Sequence, residues 1–271
     1  MTRTHQRKRS RGVVLLLLDI GNTHTHVGLA RGRRLVRCAD LRTTLWKTGA
    51  AEAALRRFVA DVPVAGAALC SVVPAATPRV ARAVRRHWDC DPLILSPRTL
   101  RGIGIDYPKP DSIGPDRLAN ALAARHRVGA PVVVVDFGTA VTFDVVNARG
   151  DYVGGIIAPG LAAMTDYLHE KTALLPRIRI RETRTVIGRS TEEAMLVGAV
   201  HGYRGMVREL LQELRRVLRH RHLPVVATGG YARLIARQLP DIGAVVPGLT
   251  LEGLRLVWEA HAAERIEGAV R

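Results

Sequence analysis

The sequence predicts an α/β protein built from two similar halves, each with a mixed β-sheet covered by helices. One observation is a repeated pattern, in which a run of aliphatic residues ends in an aspartate, a glycine and a hydroxyl residue, at residues 14–23 and again at 132–139. Each run lacks polar alternation, which is typical of a strand buried on both faces. The length of 271 residues also exceeds that of an average single domain. We therefore expect domains at residues 13–128 and 129–271.

In the first half, alternating and continuous apolar runs separated by turn residues predict a sheet with helices on its faces. The predicted elements are strands at residues 13–19, 25–30 and 34–42, a helix at 50–59, a strand at 66–71, a helix at 79–87 and a short strand at 93–95. Arg31, Gly32 and Arg33 form the predicted hairpin turn, and the second helix begins after Pro78, because proline is tolerated in a first turn. Residues 101–117 are rich in glycine and proline, and so long a loop is usually functional.

The second half repeats this plan. The predicted elements are strands at residues 132–136, 141–147 and 152–157, a turn at 148–151, a helix at 192–200 and a strand at 224–227 that precedes another helix, whereas a predicted helix at 118–125 ends the first half. Two copies of one β-rich unit explain why the aspartate-glycine pattern occurs twice.

Composition excludes several classes of protein. Hydrophobic residues make up 47% of the chain, yet no apolar stretch is long enough to span a membrane, so we expect a globular protein without a membrane partner. Residues 1–12 form a basic segment that we expect to be a disordered extension, since the apolar run after it is too short for a signal peptide. Cys38, Cys70 and Cys90 show no metal-ligand spacing, which favours a reduced, cytoplasmic location.

A net charge of +17 raises the question of nucleic-acid binding. The basic residues are nearly all arginines scattered along helices, aromatic residues make up only 4% of the chain, and no nucleic-acid-binding module is recognisable. We therefore expect a solvated arginine-rich surface and no specific nucleic-acid partner.

The aspartate-glycine loops have a composition suited to phosphate. Glycine permits a sharp turn after the strand, and the turn amides with the threonine hydroxyl can then face an anion such as a nucleotide phosphate. An aspartate beside phosphates needs a cation between them, and Mg²⁺ is usually bound by one or two carboxylates, waters and the phosphates themselves. Two such loops from two halves predict a cleft that holds a nucleotide from both sides.

Five motifs, in chain order, resemble the type III pantothenate kinase family of the actin, sugar-kinase and Hsp70 superfamily. They are Asp19-Ile-Gly-Asn-Thr, Gly114-Pro-Asp-Arg117, Asp136-Phe-Gly-Thr-Ala, Gly154-Gly155 with Pro159-Gly160, and Thr228-Gly-Gly230. The resemblance implies two tandem ribonuclease-H-like (actin-like ATPase) domains with a nucleotide cleft between them. It also implies a homodimer that phosphorylates pantothenate to 4'-phosphopantothenate with ATP, the first step of coenzyme A biosynthesis.

The same resemblance assigns residues to ATP and its cations. The implied ATP contacts are Asp19, Ile20, Gly21, Asn22, Thr23, His24, Thr25, His26 and Thr139. Asp136 is implied as a ligand of a monovalent cation, K⁺ or NH₄⁺, beside Mg²⁺, and residues 228–230 as a loop under the adenosine.

The resemblance implies that Asp116, the aspartate of the Gly-x-Asp-Arg motif, is the catalytic residue, and phosphorylation of an alcohol does call for a carboxylate that accepts the hydroxyl proton. The positions implied for pantothenate binding are Tyr107, Gly114, Pro115, Asp116, Arg117 and Thr191. Arg117 suits the pantothenate carboxylate, since a guanidinium binds a carboxylate with two hydrogen bonds. Pro115 stands where alanine is common in the family, and it has no amide to donate.

Alternative roles exist for these residues. Asp116 could be the N-cap of the following helix with Arg117 in solvent, Thr191 could be an N-cap, and Tyr107 could serve loop packing. For the whole protein, the alternatives are a non-catalytic regulatory or accessory factor of the same fold and a related kinase with another substrate. The three aspartates Asp19, Asp116 and Asp136 argue against a loss of chemistry, because a pure binding module needs no base.

Overall fold

A computed structural model of the chain describes residues 14–270, which group into two compact units. The first contains residues 14–123 and 249–270, and the second contains residues 124–248. The C-terminal segment therefore groups with the first half of the chain, whereas the division into domains at residue 128 stays a prediction. The predicted basic extension, residues 1–12, lies outside the described residues.

The first unit contains a five-stranded mixed sheet. Its strands are β1 (Val14–Ile20), β2 (His24–Arg31), β3 (Arg34–Arg42), β4 (Val64–Ser71) and β5 (Leu93–Ile94), in the order β3-β2-β1-β4-β5. The central strand β1 pairs antiparallel with β2 and parallel with β4. Its helices are α1 (Ala50–Val59), α2 (Thr77–Trp88), α3 (Pro115–Val128), which continues into the second unit, and α8 (Leu249–Val270).

Shorter elements complete the first unit. They are 3₁₀-helices at Thr43–Lys47 and Pro110–Ser112 and the two-residue strand β6 (Gly104–Ile105). The last two lie in the glycine- and proline-rich loop, so this loop is partly ordered by local structure.

The second unit repeats the sheet of the first. Its strands are β7 (Val132–Phe137), β8 (Ala140–Val146), β9 (Asp151–Pro159), β10 (Val225–Thr228) and β11 (Ala244–Val245), in the order β9-β8-β7-β10-β11. β7 pairs antiparallel with β8 and parallel with β10, as β1 does with β2 and β4. The order and sense of the strands thus confirm the predicted repeat and the α/β class.

The helices of the second unit are α4 (Leu161–Lys171), α5 (Thr191–Val197), α6 (Tyr203–Val217) and α7 (Ala232–Ala236), with a π-helical turn at Gly198–Gly202. Between α4 and α5, residues 172–190 form no helix or strand.

Each unit has its own apolar core, and the aspartate-bearing strands run through it. Leu16 and Leu17, which lie on opposite faces of β1, are both fully buried, and so are Val133 and Val134 of β7. Burial on both faces explains why these strands have continuous apolar runs. No helix within residues 14–270 is both long enough and apolar enough to cross a membrane.

Two predicted helix starts were wrong. α2 begins at Thr77, so Pro78 lies inside its first turn. α3 begins at Pro115, three residues before the predicted start, because proline has the backbone angle of a first helical residue and needs no amide partner there. Asp116 therefore lies within the first turn of α3 and is not its N-cap.

Helix α8 supports α3 from behind. A Cβ atom added to Gly253 of α8 would lie 2.1 Å from the carbonyl oxygen of Ala119 in α3, so the two backbones approach as closely as glycine allows. The buried Thr250 hydroxyl also lies 2.9 Å from Asn120 Oδ1 and donates to it. These contacts hold in place the helix whose first turn contains Asp116.

Candidate active site

The loop after β1 is a tight turn that joins β1 to β2. The amide of Gly21 donates to the carbonyl of His24 across 2.9 Å, and Asn22 and Thr23 are exposed at its tip. A Cβ atom on Gly21 would lie 3.0 Å from that same carbonyl oxygen, which explains the glycine. The predicted turn after Asp19 is therefore present, with its polar side chains exposed.

A buried chain of hydrogen bonds fixes this turn from below. Trp46 Nε1 donates to Thr25 Oγ1 across 3.1 Å, and the two hydroxyls of Thr25 and Thr43 lie 3.1 Å apart. Thr43 Oγ1 donates to the carbonyl of Gly21 across 2.7 Å, and its amide donates to the carbonyl of Thr23. Because a hydroxyl has one proton, Thr25 must donate to Thr43. Thr43 could not be predicted from the sequence, since an isolated threonine gives no signal of such a role.

The residues assigned to ATP on β1 and β2 do not all expose their side chains. Thr25 is fully buried in this hydrogen-bond chain, and Ile20 is fully buried in the core. His24 and His26 lie on the exposed face, and His26 Nδ1 lies 2.6 Å from Asp40 Oδ1. The backbone of this stretch and its exposed side chains, those of Asn22, Thr23 and the two histidines, are therefore available to a ligand, whereas the Ile20 and Thr25 side chains are not.

Asp19 has a buried thiol beside it. The register of β1 and β4 places Cys70 opposite Asp19, and the thiol donates to Asp19 Oδ1 across 3.3 Å. Burial, together with the negative charges of Asp19 and Asp116, raises the pKa of Cys70 well above its usual range. The thiol therefore remains neutral, and both carboxylates lie close enough to act on it.

Asp116 is a partly buried carboxylate in the first turn of α3. Its Oδ1 accepts a hydrogen bond from the Arg117 amide across 2.9 Å. Burial raises the pKa of Asp116 above its ordinary value, although the Arg117 amide and guanidinium oppose the shift. A Cβ atom on Gly114 would lie 2.5 Å from Asp116 Oδ1, so only glycine leaves room for this position of the carboxylate. Asp116 thus has the environment of a proton acceptor.

The second unit builds a matching loop after β7. Asp136 lies between Thr142 of β8 and Thr228 of β10 in the sheet, and the Gly138 amide donates to the carbonyl of Ala140 across 3.1 Å. Thr139 is exposed beside it. This arrangement repeats that of Asp19 and Gly21 in the first unit.

Two further glycines of the quoted motifs pack directly against this second loop. A Cβ atom on Gly160 would lie 2.2 Å from the carbonyl oxygen of Thr139, and one on Gly229 would lie 2.5 Å from Asp136 Oδ1. Gly229 also has a φ of +91°, a backbone angle that residues with a side chain rarely adopt. Motifs that are far apart in the sequence therefore meet at the loop of Asp136 and Thr139.

Thr191 is exposed, but it is not an N-cap as the alternative interpretation held. The cap of α5 is Ser190, whose Oγ accepts from the Glu193 amide across 3.2 Å. Glu193 Oε2 in turn accepts from the Arg189 amide across 2.8 Å. Ser190 and Glu193 have the spacing of a capping box, a signal that lies in the sequence one residue before the predicted position Thr191. The hydroxyl of Thr191 is therefore not needed to begin the helix.

The chain is similar to proteins of one known family over most of its length. The model of the type III pantothenate kinase family matches residues 15–213. Over 247 residues the chain is 44% identical to a type III pantothenate kinase of Methylacidiphilum infernorum, covering 90% of this chain and 88% of that protein. Over 242 residues it is 48% identical to one of Akkermansia muciniphila, covering 89% and 96% respectively. The chain belongs to the type III pantothenate kinase family.

Solved structures agree with the fold expected of a type III pantothenate kinase. A Baf family protein from Campylobacter jejuni superimposes with a TM-score of 0.58 at 17% identity, over 92% of this chain and 99% of that one. MreB 5 of Spiroplasma citri gives a TM-score of 0.52 at 12% identity, over 95% and 99%. At such identities the likeness shows the fold alone. It confirms the predicted fold class of two ribonuclease-H-like, actin-like domains.

The residues of this family member fit a metal ion whose ligands come mainly from nucleotide phosphates and water, with few ligands from the protein. Within residues 14–270, no group of three or more histidine, cysteine, aspartate or glutamate side chains is arranged to hold a metal ion. Mg²⁺ in kinases needs only one or two carboxylates, because phosphates and water supply its other ligands. A single carboxylate beside an exposed loop, as at Asp19 and at Asp136, meets that requirement.

Proposed function

We propose that this protein phosphorylates pantothenate to 4'-phosphopantothenate with ATP, the first step of coenzyme A biosynthesis. Membership of the type III pantothenate kinase family supports this activity. The observation that carries the proposal furthest is the environment of Asp116, a partly buried carboxylate whose pKa is raised by burial, at the position of the family's catalytic aspartate. Neither alternative function receives support from the relatives, which are pantothenate kinases.

Asp116 is the general base of the proposed reaction and accepts the proton of the pantothenate hydroxyl. A raised pKa makes a carboxylate a stronger proton acceptor, provided that it stays ionised at the working pH. Arg117 follows it and pairs with the pantothenate carboxylate. Tyr107, which is 36% exposed in the preceding loop, and Thr191 complete the proposed pantothenate contacts, together with the backbone of Gly114 and Pro115. Pro115 costs the helix no hydrogen bond at its first position, but it has no amide, so a substrate contact through a donor at this position is absent.

The loops after β1 and β7 are the proposed ATP contacts, through residues 19–26 and Thr139. When bound, Mg²⁺ supplies charge neutralisation at the phosphates, and Asp19 would hold it. Asp136 would hold a monovalent cation, K⁺ or NH₄⁺. The exposed Asn22, Thr23 and Thr139 orient the phosphates with their side chains, while Ile20 and Thr25 shape the loop from the buried side.

We also propose a homodimer in the cytoplasm. Helix α4 and the segment after it expose large apolar side chains, namely Met164, Tyr167, Leu168 and Leu174, with 38%, 61%, 41% and 89% of their surfaces accessible. A patch of this kind is typical of a protein interface, and a second copy of the chain would cover it.

Cys38, Cys70 and Cys90 are free thiols, which agrees with a reducing compartment.

The test is ADP formation by the purified protein with ATP and Mg²⁺, with and without pantothenate, in matched KCl and NaCl buffers. We expect pantothenate-dependent turnover that is higher in KCl. Asp116→Asn should fold normally and lose about 10²- to 10⁴-fold in kcat, the usual contribution of a general base. The matched control is Asp111→Asn in the loop before α3, because Asp111 is exposed and paired only distantly with Arg98 at 3.7 Å.

Turnover without pantothenate dependence would point to another substrate. Full activity of Asp116→Asn would overturn the assignment of the base, and equal rates in KCl and NaCl would overturn the cation site at Asp136.

A further inference from the structure

Cys70 is a buried thiol that the proposed reaction does not use. The structure describes all of β4, in which the side chains of Ala67 and Leu69 are fully buried and apolar. Cys70 is the buried residue of this strand whose side chain can donate a hydrogen bond. That hydrogen is directed at Asp19 Oδ1 across 3.3 Å. The pairing is set by strand register, since Asp19 and Cys70 are opposite each other in parallel strands.

The electrostatics at this position favour a neutral donor. Asp19 and Asp116 both act on the Cys70 sulfur, so two negative charges lie near one buried point. A hydrogen bond to a carboxylate stabilises its charged form, whereas a third anion or an acceptor there would repel both carboxylates. A hydroxyl or thiol can donate without adding charge.

We propose that Cys70 is a positioning residue, whose thiol holds the Asp19 carboxylate in the orientation needed to bind magnesium-ATP. This inference rests on the proposed function, in which Asp19 binds the nucleotide through its cation. Cys70 touches neither nucleotide nor pantothenate, and it acts only through Asp19. Loss of the donor therefore weakens nucleotide binding and leaves the KM for pantothenate unchanged.

The decisive pair of variants is Cys70→Ala and Cys70→Ser. Both remove the sulfur and leave nearly the same volume unfilled, but only serine can still donate to Asp19. Titration calorimetry with Mg²⁺ and the non-hydrolysable analogue AMPPNP measures the affinity directly. We expect about a tenfold weaker Kd for Cys70→Ala, the usual size of one hydrogen bond to a charged group, and a loss of no more than about threefold for Cys70→Ser. Unfolding curves should show that both variants are folded at the temperature of the titration, so that the difference in affinity reports the loss of the donor.

A spectroscopic measurement tests the hydrogen bond without any ligand. The S–H stretching band of a thiol moves to lower frequency when the thiol donates a hydrogen bond, and the difference between wild type and Cys70→Ala isolates the band of Cys70. We expect a low-frequency band that moves upward in Asp19→Asn, because an amide oxygen is a weaker acceptor than a carboxylate. Cys38→Ala is the control, since Cys38 is exposed on β3, and it should alter neither this band nor the affinity.

Equal affinities of Cys70→Ala and Cys70→Ser, or a Cys70 band at the frequency of a free thiol, would overturn the proposal. Failure of the proposed function is distinguishable, because AMPPNP binding and the S–H band do not depend on pantothenate. A protein without pantothenate-dependent turnover that still shows the serine rescue would retain Cys70 as a positioning residue of a nucleotide site.

Discussion

Replacement of Gly160 by alanine should displace the loop that contains Thr139 and destabilise the second unit. Gly160 has φ −66° and ψ 159°, a conformation that alanine adopts readily, so backbone strain plays no part. The added Cβ atom would lie 2.2 Å from the carbonyl oxygen of Thr139 and 2.6 Å from that of Gly138. Both neighbours are backbone atoms, which cannot rotate out of the way as a flexible side chain could.

The size of the effect follows from two opposing contributions. Overpacking of a well-packed site costs about 1–3 kcal/mol, and a backbone collision belongs in the upper half of that range. The smaller conformational entropy of the unfolded alanine chain offsets about 0.4–1 kcal/mol. A net loss of about 2 kcal/mol corresponds to a Tm lower by about 4–8 °C for a protein of this size. If Thr139 contacts ATP, the KM for ATP should also rise.

Differential scanning calorimetry and the ADP-release assay measure both effects. The matched control is Gly205→Ala in α6 of the same unit, where an added Cβ atom has no neighbour within 4 Å. Alanine there should stabilise the protein by about 0.5–1 kcal/mol, because glycine is unfavourable inside a helix. A Gly160→Ala variant with the stability and the KM for ATP of the wild type would refute the argument.

Further predictions concern Asp116 and the start of α5. Because burial raises the pKa of Asp116, kcat should fall as the pH drops through a value above the ordinary 3.8, where the base becomes protonated. The folded protein binds this proton more tightly than the unfolded chain, so the associated stability is present below pH 3.8 and lost as the pH rises through the raised pKa. Asp116→Asn should therefore raise the Tm at neutral pH and leave it unchanged below pH 3.8; a Tm that is lower at neutral pH would contradict this. Ser190→Ala should cost about 1 kcal/mol in urea unfolding without altering the KM for pantothenate, since it removes only the cap. Thr191→Ala should raise the KM for pantothenate without altering the stability to urea. A loss of stability in both variants would argue against separate roles.

Much of the fold could be predicted from the sequence because continuous apolar runs identify strands that are buried on both faces. The runs before Asp19 and Asp136 gave both central strands to within a residue or two. Helix α1 was predicted with the observed bounds, since its apolar residues recur at helical spacing. The starts of α2 and α3 were misplaced, because proline marks a first turn without telling which of its positions it occupies.

The sequence by itself determined the repeated plan, the family and the identity of the polar residues at the strand ends, since these depend on local periodicity and on motifs a few residues long. Only the tertiary structure decided which distant residues meet. It placed Cys70 beside Asp19, Gly160 and Gly229 against the loop of Asp136, and Thr43 beneath Gly21. Such contacts depend on strand register and on the close approach of backbones, which no local pattern in the chain specifies.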